Sequence, residues 1–334
     1  MSLEVDLPWH LQSVPNVAGA SSLLSATGRS DLIILGLVNN MPDSALAGTE
    51  AQFTEVLRAA SGGRHIKLRF SSLPQLKRGS AAKERMAASY WSLDSLLASS
   101  LDGVIVTGME PGMGHLSSES YWPDFISLLQ FAQSHLISSV WSCLAAHAAV
   151  LALDGVERRR LSEKQSGVFT FGVSSNDPLV AGLDRSIRTP HSRWNEIDGC
   201  ALQQAGYTLL SHSLEHGVDA FVKRESGLML FFQGHPEYQN LTLLKEYRRD
   251  VGRFLRGENM EYPKAPAHYF ESQTLRLVDE FQQRVLQGPV APPVEEFPFA
   301  SLADGIDDSW RYSAARVYGN WLNHVAEIKA ERAV

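Results

Sequence analysis

A cysteine and a histidine–glutamate pair carry most of the chemical potential of this chain. Cys143 lies in Ser138-Ser-Val-Trp-Ser-Cys-Leu-Ala-Ala-His-Ala-Ala-Val-Leu-Ala-Leu153. The stretch reads as a short buried strand, a corner, and a helix with no charged side chain. A thiol at such a corner sits beside the free N–H groups and the positive end of the helix dipole, which favour thiolate over thiol. That makes Cys143 a candidate nucleophile. The bland alternative is a buried structural cysteine, because free cysteine is among the most buried residue types. Gly234-His-Pro-Glu237 tips the balance. A histidine at a strand end, with a glutamate two residues on, can form a dyad. His235 would take a proton from Cys143 or from an acceptor hydroxyl, and Glu237 would fix its tautomer and stabilise its cation. Pro236 would stiffen the backbone between them. The competing reading is a strand-end histidine followed by a helix-capping glutamate. Together, the cysteine corner and the dyad favour nucleophilic catalysis.

The elements that must position these groups follow from the apolar pattern. Asp31–Val38 and Leu101–Thr107 are continuous apolar runs, as expected of buried parallel strands. His65–Phe70 alternates and reads as another strand. Helices are expected at about 45–60, 123–134 and 144–153, with partial helix in 71–100. Strand and helix thus alternate through the first half, which predicts a doubly wound α/β fold with a mostly parallel sheet. Reacting groups in such folds gather at the carboxyl ends of the strands, where Cys143, Thr107-Gly108 and the loop after Val38 all fall. The second half is richer in strands: Tyr207–His212, Asp219–Lys223 and Leu228–Phe232, then a helix over about 241–255. Pro263, Pro266 and Gly288-Pro-Val-Ala-Pro-Pro293 break the chain around a helix at about 270–286. A last helix at about 309–332 carries Val317, Trp321 and Val325 at helical spacing. The expected organisation is a lead-in over 1–30, a main domain over 31–258 and a C-terminal helical extension over 259–334.

Composition excludes several function classes. The 334 residues are 44% hydrophobic and 20% charged, and the formal net charge is -7. A nucleic-acid binder would show a basic surface, so no nucleic acid is expected. The two cysteines, Cys143 and Cys200, form no CxxC, and no Cys/His cluster has metal spacing. No bound metal, flavin or nicotinamide is expected, and both thiols should stay reduced in the cytoplasm. No signal peptide is read at the N-terminus. The longest apolar stretch, Val140–Leu153, is too short for a membrane span.

Several ordered motifs then resemble one family. They are Asn39-Asn-Met-Pro42 with Thr49-Glu50-Ala-Gln52-Phe53, Asp102-Gly-Val-Ile-Val-Thr-Gly108, Tyr121-Trp-Pro123 and Trp141-Ser-Cys143. Further on come Glu163-Lys164-Gln-Ser-Gly-Val168, Pro190-His-Ser-Arg193, Gly234-His-Pro-Glu-Tyr238, Glu246-Tyr247-Arg-Arg-Asp250 and Asn320-Trp-Leu-Asn323. The set resembles the homoserine O-succinyltransferase family, a branch of the class I glutamine amidotransferase-like fold, over roughly residues 32–256.

The resemblance implies acyl transfer through a cysteine thioester, within methionine biosynthesis. Cys143 would attack an acyl-coenzyme A, the co-substrate, and the acyl-enzyme would pass its acyl group to a hydroxy amino acid. His235 would be the base with Glu237 behind it, and N–H groups at Leu144 and near Gly108-Met109 would stabilise the oxyanion. Lys164 and Ser192 match substrate-binding positions. Arg249 matches the arginine that grips the amino acid's carboxylate, a role suited to a guanidinium fork. Gly112 matches the position that sets acyl choice, where glycine goes with succinyl and glutamate with acetyl. Glu110 in the same loop would favour acetyl if it faced the pocket. Homoserine and serine differ by one methylene, worth only about 1–3 kcal/mol in a pocket. An O-acetyltransferase acting on homoserine or serine is therefore the near rival. A glutamine amidotransferase-type amidase is the distant one, although Ser142 and Ala145 stand where such enzymes favour glycine. A non-catalytic member of the fold is a third, disfavoured by the intact cysteine, histidine and glutamate. The proline-rich breaks and aromatic last helix suggest a homodimer.

Overall fold

The computed structural model describes residues 3–8, 32–110, 114–288 and 290–333. Among them ten strands form one sheet in the order β1-β3-β2-β4-β5-β10-β9-β8-β6-β7. The strands are β1 (Leu3–Val5), β2 (Leu32–Val38), β3 (His65–Ser71), β4 (Gly103–Val106), β5 (Ser138–Ser142), β6 (Arg159–Val173), β7 (Ser186–Glu196), β8 (Thr208–Ser213), β9 (Gly217–Arg224) and β10 (Leu228–Phe232). The helices are α1 (Leu46–Ala60), α2 (Ser80–Ser89), α3 (Leu93–Leu97), α4 (Trp122–His135), α5 (Leu144–Asp154), α6 (Gly199–Gln204), α7 (Thr242–Leu255), α8 (Ser272–Gln287), α9 (Phe299–Ala303) and α10 (Trp310–Arg332).

The half of the sheet from β1 to β10 through β5 is parallel, as the apolar runs predict. Strands β5 and β4 are buried along their whole length, because helices cover both faces. The other half, β10-β9-β8-β6-β7, is antiparallel. Three strands escaped the sequence pattern. Strand β1 lies in the segment expected to be a mere lead-in, and pairs parallel with β3. The long β6–β7 hairpin hides behind the charged run Arg159-Arg-Leu-Ser-Glu-Lys164, and its pairing is bulged between Arg160 and Gln165.

Helix α10 packs on the parallel sheet beside α1, burying Val317, Tyr318, Trp321, Leu322 and Val325 with Ile33, Leu35 and Val140. Trp321 Nε1 donates to Ser138 Oγ at 2.7 Å, and Lys329 Nζ to Asp102 Oδ2 at 2.7 Å. Its aromatic stripe is thus consumed within this chain. Helices α7, α8 and α9 build a separate core with Tyr247, Phe281, Phe297 and Leu302. No helix among the described residues is long and apolar enough to cross a membrane.

Candidate active site

Cys143 occupies the single-residue corner between β5 and α5. Its φ of 52° and ψ of -116° place it in a region that side-chain-bearing residues rarely enter. Such strain persists only where surrounding bonds hold it. Here Cys143 N donates to Phe232 O on the adjacent β10, and Cys143 O accepts from Ala146 N and His147 N in the first turn of α5. The turn leaves the thiol half-buried at the carboxyl end of the parallel sheet, over the amino end of α5. Leu144, the first helical residue, has no carbonyl of its own helix for its N–H. Gly108, just past β4, lies against this group: a Cβ there would sit 3.2 Å from Leu144 N and 3.5 Å from Cys143 Cβ. The loop after β4 therefore closes one side of the thiol.

His235 follows β10, the neighbour of β5. Its N–H donates to Pro190 O, and its Nδ1–H donates to Glu237 Oε1 at 2.9 Å. Both side chains are buried. Ser142 Oγ also donates to Glu237 Oε1 at 3.4 Å. With Nδ1 spent on Glu237, Nε2 is the imidazole atom left to interact with Cys143. Burial alone would discharge the imidazole. The neighbouring Cys143 and Glu237 outweigh it and hold the His235 pKa well above its ordinary value. Gly234 is needed here because a Cβ would fall 2.6 Å from both Asp219 Oδ1 and His191 Nε2. His191 is itself buried, donates to Asp219 at 3.1 Å and accepts from Arg193 Nε at 3.1 Å. Burial drives its pKa down to about 4, so it is a neutral strut under the loop.

A second group of side chains joins this triad through Tyr238, whose ring stacks on His235 at 4.2 Å. The Tyr238 hydroxyl donates to Glu246 Oε1 at 2.7 Å, and Ser192 Oγ donates to the other oxygen of the same carboxylate. One helical turn on, Asp250 accepts from Lys164 Nζ at 2.9 Å and from Arg249 Nε at 2.9 Å. Burial opposes the charge on Asp250, but Lys164 and Arg249 prevail and hold its pKa below the usual carboxylate value. Lys164, Ser192 and Arg249 come from β6, β7 and α7, and two carboxylates of α7 bring them together. The sequence reading gave those carboxylates no role. Their signal was positional: Glu246 and Asp250 are four residues apart, so they share one helix face.

Gly112 lies outside the described residues. Glu110 is exposed, with its carboxylate 3.9 Å from Arg253. No group of acidic, histidine and cysteine residues among the described ones could hold a metal ion.

The family profile described as HTS, homoserine O-succinyltransferase, matches residues 13–331. The homoserine O-succinyltransferase of Rhodopseudomonas palustris is 40% identical over 295 residues, covering 88% of this chain and 89% of that one. The one from Bradyrhizobium japonicum is 39% identical over 297 residues, covering 88% and 90%. Among solved structures, a glutamine amidotransferase from Thermotoga maritima superposes with a TM-score of 0.50 at 11% identity, covering 88% of this chain and 98% of that one. That likeness extends the parallel-sheet architecture to the class I glutamine amidotransferase fold. With the profile spanning nearly the whole chain and relatives near 40% identity, this chain belongs to the homoserine O-succinyltransferase family.

Proposed function

We propose that the chain transfers the succinyl group of succinyl-CoA to the hydroxyl of L-homoserine through a thioester on Cys143, a step of methionine biosynthesis. The observation that carries the reading is the corner cysteine facing a histidine held above its ordinary pKa by Cys143 and Glu237. Family membership supports the substrates.

The steps follow from the residues. The Cys143 sulfur attacks the thioester carbonyl, and the oxyanion that develops is met by the Leu144 N–H and the backbone near Gly108. The bond to coenzyme A breaks, and the departing thiolate takes the proton of the His235 imidazolium. Acylation has meanwhile neutralised Cys143, so one cause of the raised His235 pKa is gone. His235 is then a free base. It takes the proton of the homoserine hydroxyl as that oxygen attacks the acyl-thioester. Collapse of the second tetrahedral intermediate releases O-succinyl-homoserine and restores the Cys143–His235 pair. A thiolate serves well both as nucleophile and as leaving group, which keeps both halves fast.

Arg249 takes the carboxylate of the acceptor, and Lys164, Ser192 and Glu246 line its amino and hydroxyl ends. Glu110, exposed and facing Arg253, gives no support to the acetyl alternative. A cytoplasmic setting is part of the same reading and fits two unpaired cysteines; homodimerisation rests on the proline-rich breaks alone, because α10 spends its aromatic stripe within this chain. A monomer mass in solution at working concentration contradicts the dimer. The test of the activity is coenzyme A release from succinyl-CoA and acetyl-CoA, each with homoserine or serine, beside Cys143→Ala. Homoserine-dependent release from succinyl-CoA that vanishes in the variant is expected. No release with any pair overturns the reading.

A further inference from the structure

Among the described residues, Arg158 is a cation near Cys143 with no structural partner. It lies in the short stretch between α5 and β6, half-buried, and no carboxylate among the described residues pairs with it. Its Nη1 is buried without a hydrogen-bond partner. The same holds for the Tyr121 hydroxyl at the start of α4, and the ring around that hydroxyl is buried. Two such orphan groups are costly, because each loses water and gains nothing.

The chain brings them together beside the thiol. His115 Nε2 lies 2.9 Å from Glu157 Oε1. That contact docks the turn before Tyr121 onto the residue before Arg158. Tyr121 shares a core cluster with Met109, Leu116, Leu144 and Ala145, the last two following Cys143 directly in α5. The guanidinium is within electrostatic range of both Tyr121 and Cys143. By contrast, the other arginine close to Cys143, Arg193, is fully engaged by His191, Asn195 and His216.

We propose that Arg158 and Tyr121 form the subsite for the distal carboxylate of the acyl group, so that this pair reads succinyl against acetyl. The proposal rests on the acyl-CoA reading above and adds the residues that choose the donor. A carboxylate suits two converging donors, one charged, and the chemistry excludes a neutral acyl end, which would leave both unsatisfied. Glu119 and Glu157 contribute attraction to Arg158, and Glu157 is already turned to His115. The acceptor's carboxylate has its own arginine in Arg249, so the two anionic ends do not compete.

The test is donor selectivity in Arg158→Gln, Arg158→Lys and Tyr121→Phe, measured as kcat/KM for succinyl-CoA and for acetyl-CoA with saturating homoserine. Loss of a charge-assisted bond should lower the succinyl-CoA value roughly 100-fold in Arg158→Gln, with the acetyl-CoA value changed by less than about three-fold. Arg158→Lys should recover part of the loss, and Tyr121→Phe should lose roughly ten-fold for succinyl-CoA only. The acetyl-CoA arm shows that each variant is folded. If both donors fall alike, or neither falls, the subsite is elsewhere and the proposal is overturned. If the wild-type protein acylates from neither thioester, the underlying acyl-transfer reading fails, and this inference falls with it.

Discussion

Lys164 Nζ lies 2.9 Å from Asp250 Oδ2. The other oxygen of Asp250 takes Arg249 at the same distance, so one carboxylate orients the two cations assigned to the acceptor. Because Asp250 is largely buried and its pKa is depressed, this clamp is fully ionised at neutral pH and is lost only as pH falls through that depressed value. Asp250→Asn should leave both cations loosely held. The KM for homoserine should rise roughly ten-fold, with a smaller change in kcat. Steady-state kinetics at fixed donor concentration check this; a fall in kcat alone would move Asp250 away from acceptor binding.

His235 supplies a titration signature. Burial favours its neutral form, but Cys143 and Glu237 raise its pKa well above the ordinary 6.5. Its charged form therefore stabilises the fold fully below about pH 6.5, and that contribution disappears as pH rises through the raised native value. In Cys143→Ala the largest supporting neighbour is removed. The imidazole NMR titration of His235 should then move to lower pH than in the wild type. An unchanged midpoint would show that Cys143 does not hold the proton on His235.

The strained corner predicts an inverse relation between stability and activity. Glycine enters the positive φ of Cys143 without the penalty that a Cβ incurs. Cys143→Gly should be more stable than Cys143→Ala by about 1 kcal/mol, after allowance for the looser unfolded chain. Both should be inactive. Equal urea midpoints for the two variants would mean the corner is relaxed.

Much of this architecture was legible in the sequence, and the reasons differ by element. The runs at Leu32–Val38, Gly103–Val106 and Ser138–Ser142 are buried on both faces, so hydrophobicity alone marks them. Cys143 and His235 were legible because each sits within a few residues of its strand end, where local pattern suffices. The β6–β7 hairpin was not. Thr189, His191 and Arg193 are buried in β7, yet they are polar and satisfied by Asp219 and by partners far along the chain. Arg158 was silent too, for a different reason. A charge without a partner is visible only once the fold shows what surrounds it.

Gly234 offers a test of how tightly the dyad is positioned. A Cβ there would collide with Asp219 and His191, both buried and hydrogen-bonded to each other. Gly234→Ala should cost about 2 kcal/mol of stability and displace His235, lowering kcat more than it raises KM. Denaturation by urea and steady-state rates check the two halves. A stable, fully active variant would show that the loop has slack.

The last helix contributes stability directly beneath the site. Trp321 is fully buried, and its indole N–H holds Ser138 at the start of the strand that runs into Cys143. Trp321→Ala should cost about 3–5 kcal/mol by cavity formation. Calorimetry would read this as a lower Tm; an unchanged Tm would place α10 outside the cooperative unit.

The most direct measurement is the mass of the protein after brief exposure to succinyl-CoA without acceptor. The account expects one succinyl group per chain, mapped to the peptide bearing Cys143, with coenzyme A released in equal amount. Adding homoserine should discharge the label as O-succinyl-homoserine. A product formed at full rate without a labelled Cys143, or a Cys143→Ala chain that retains turnover, would contradict the thioester mechanism.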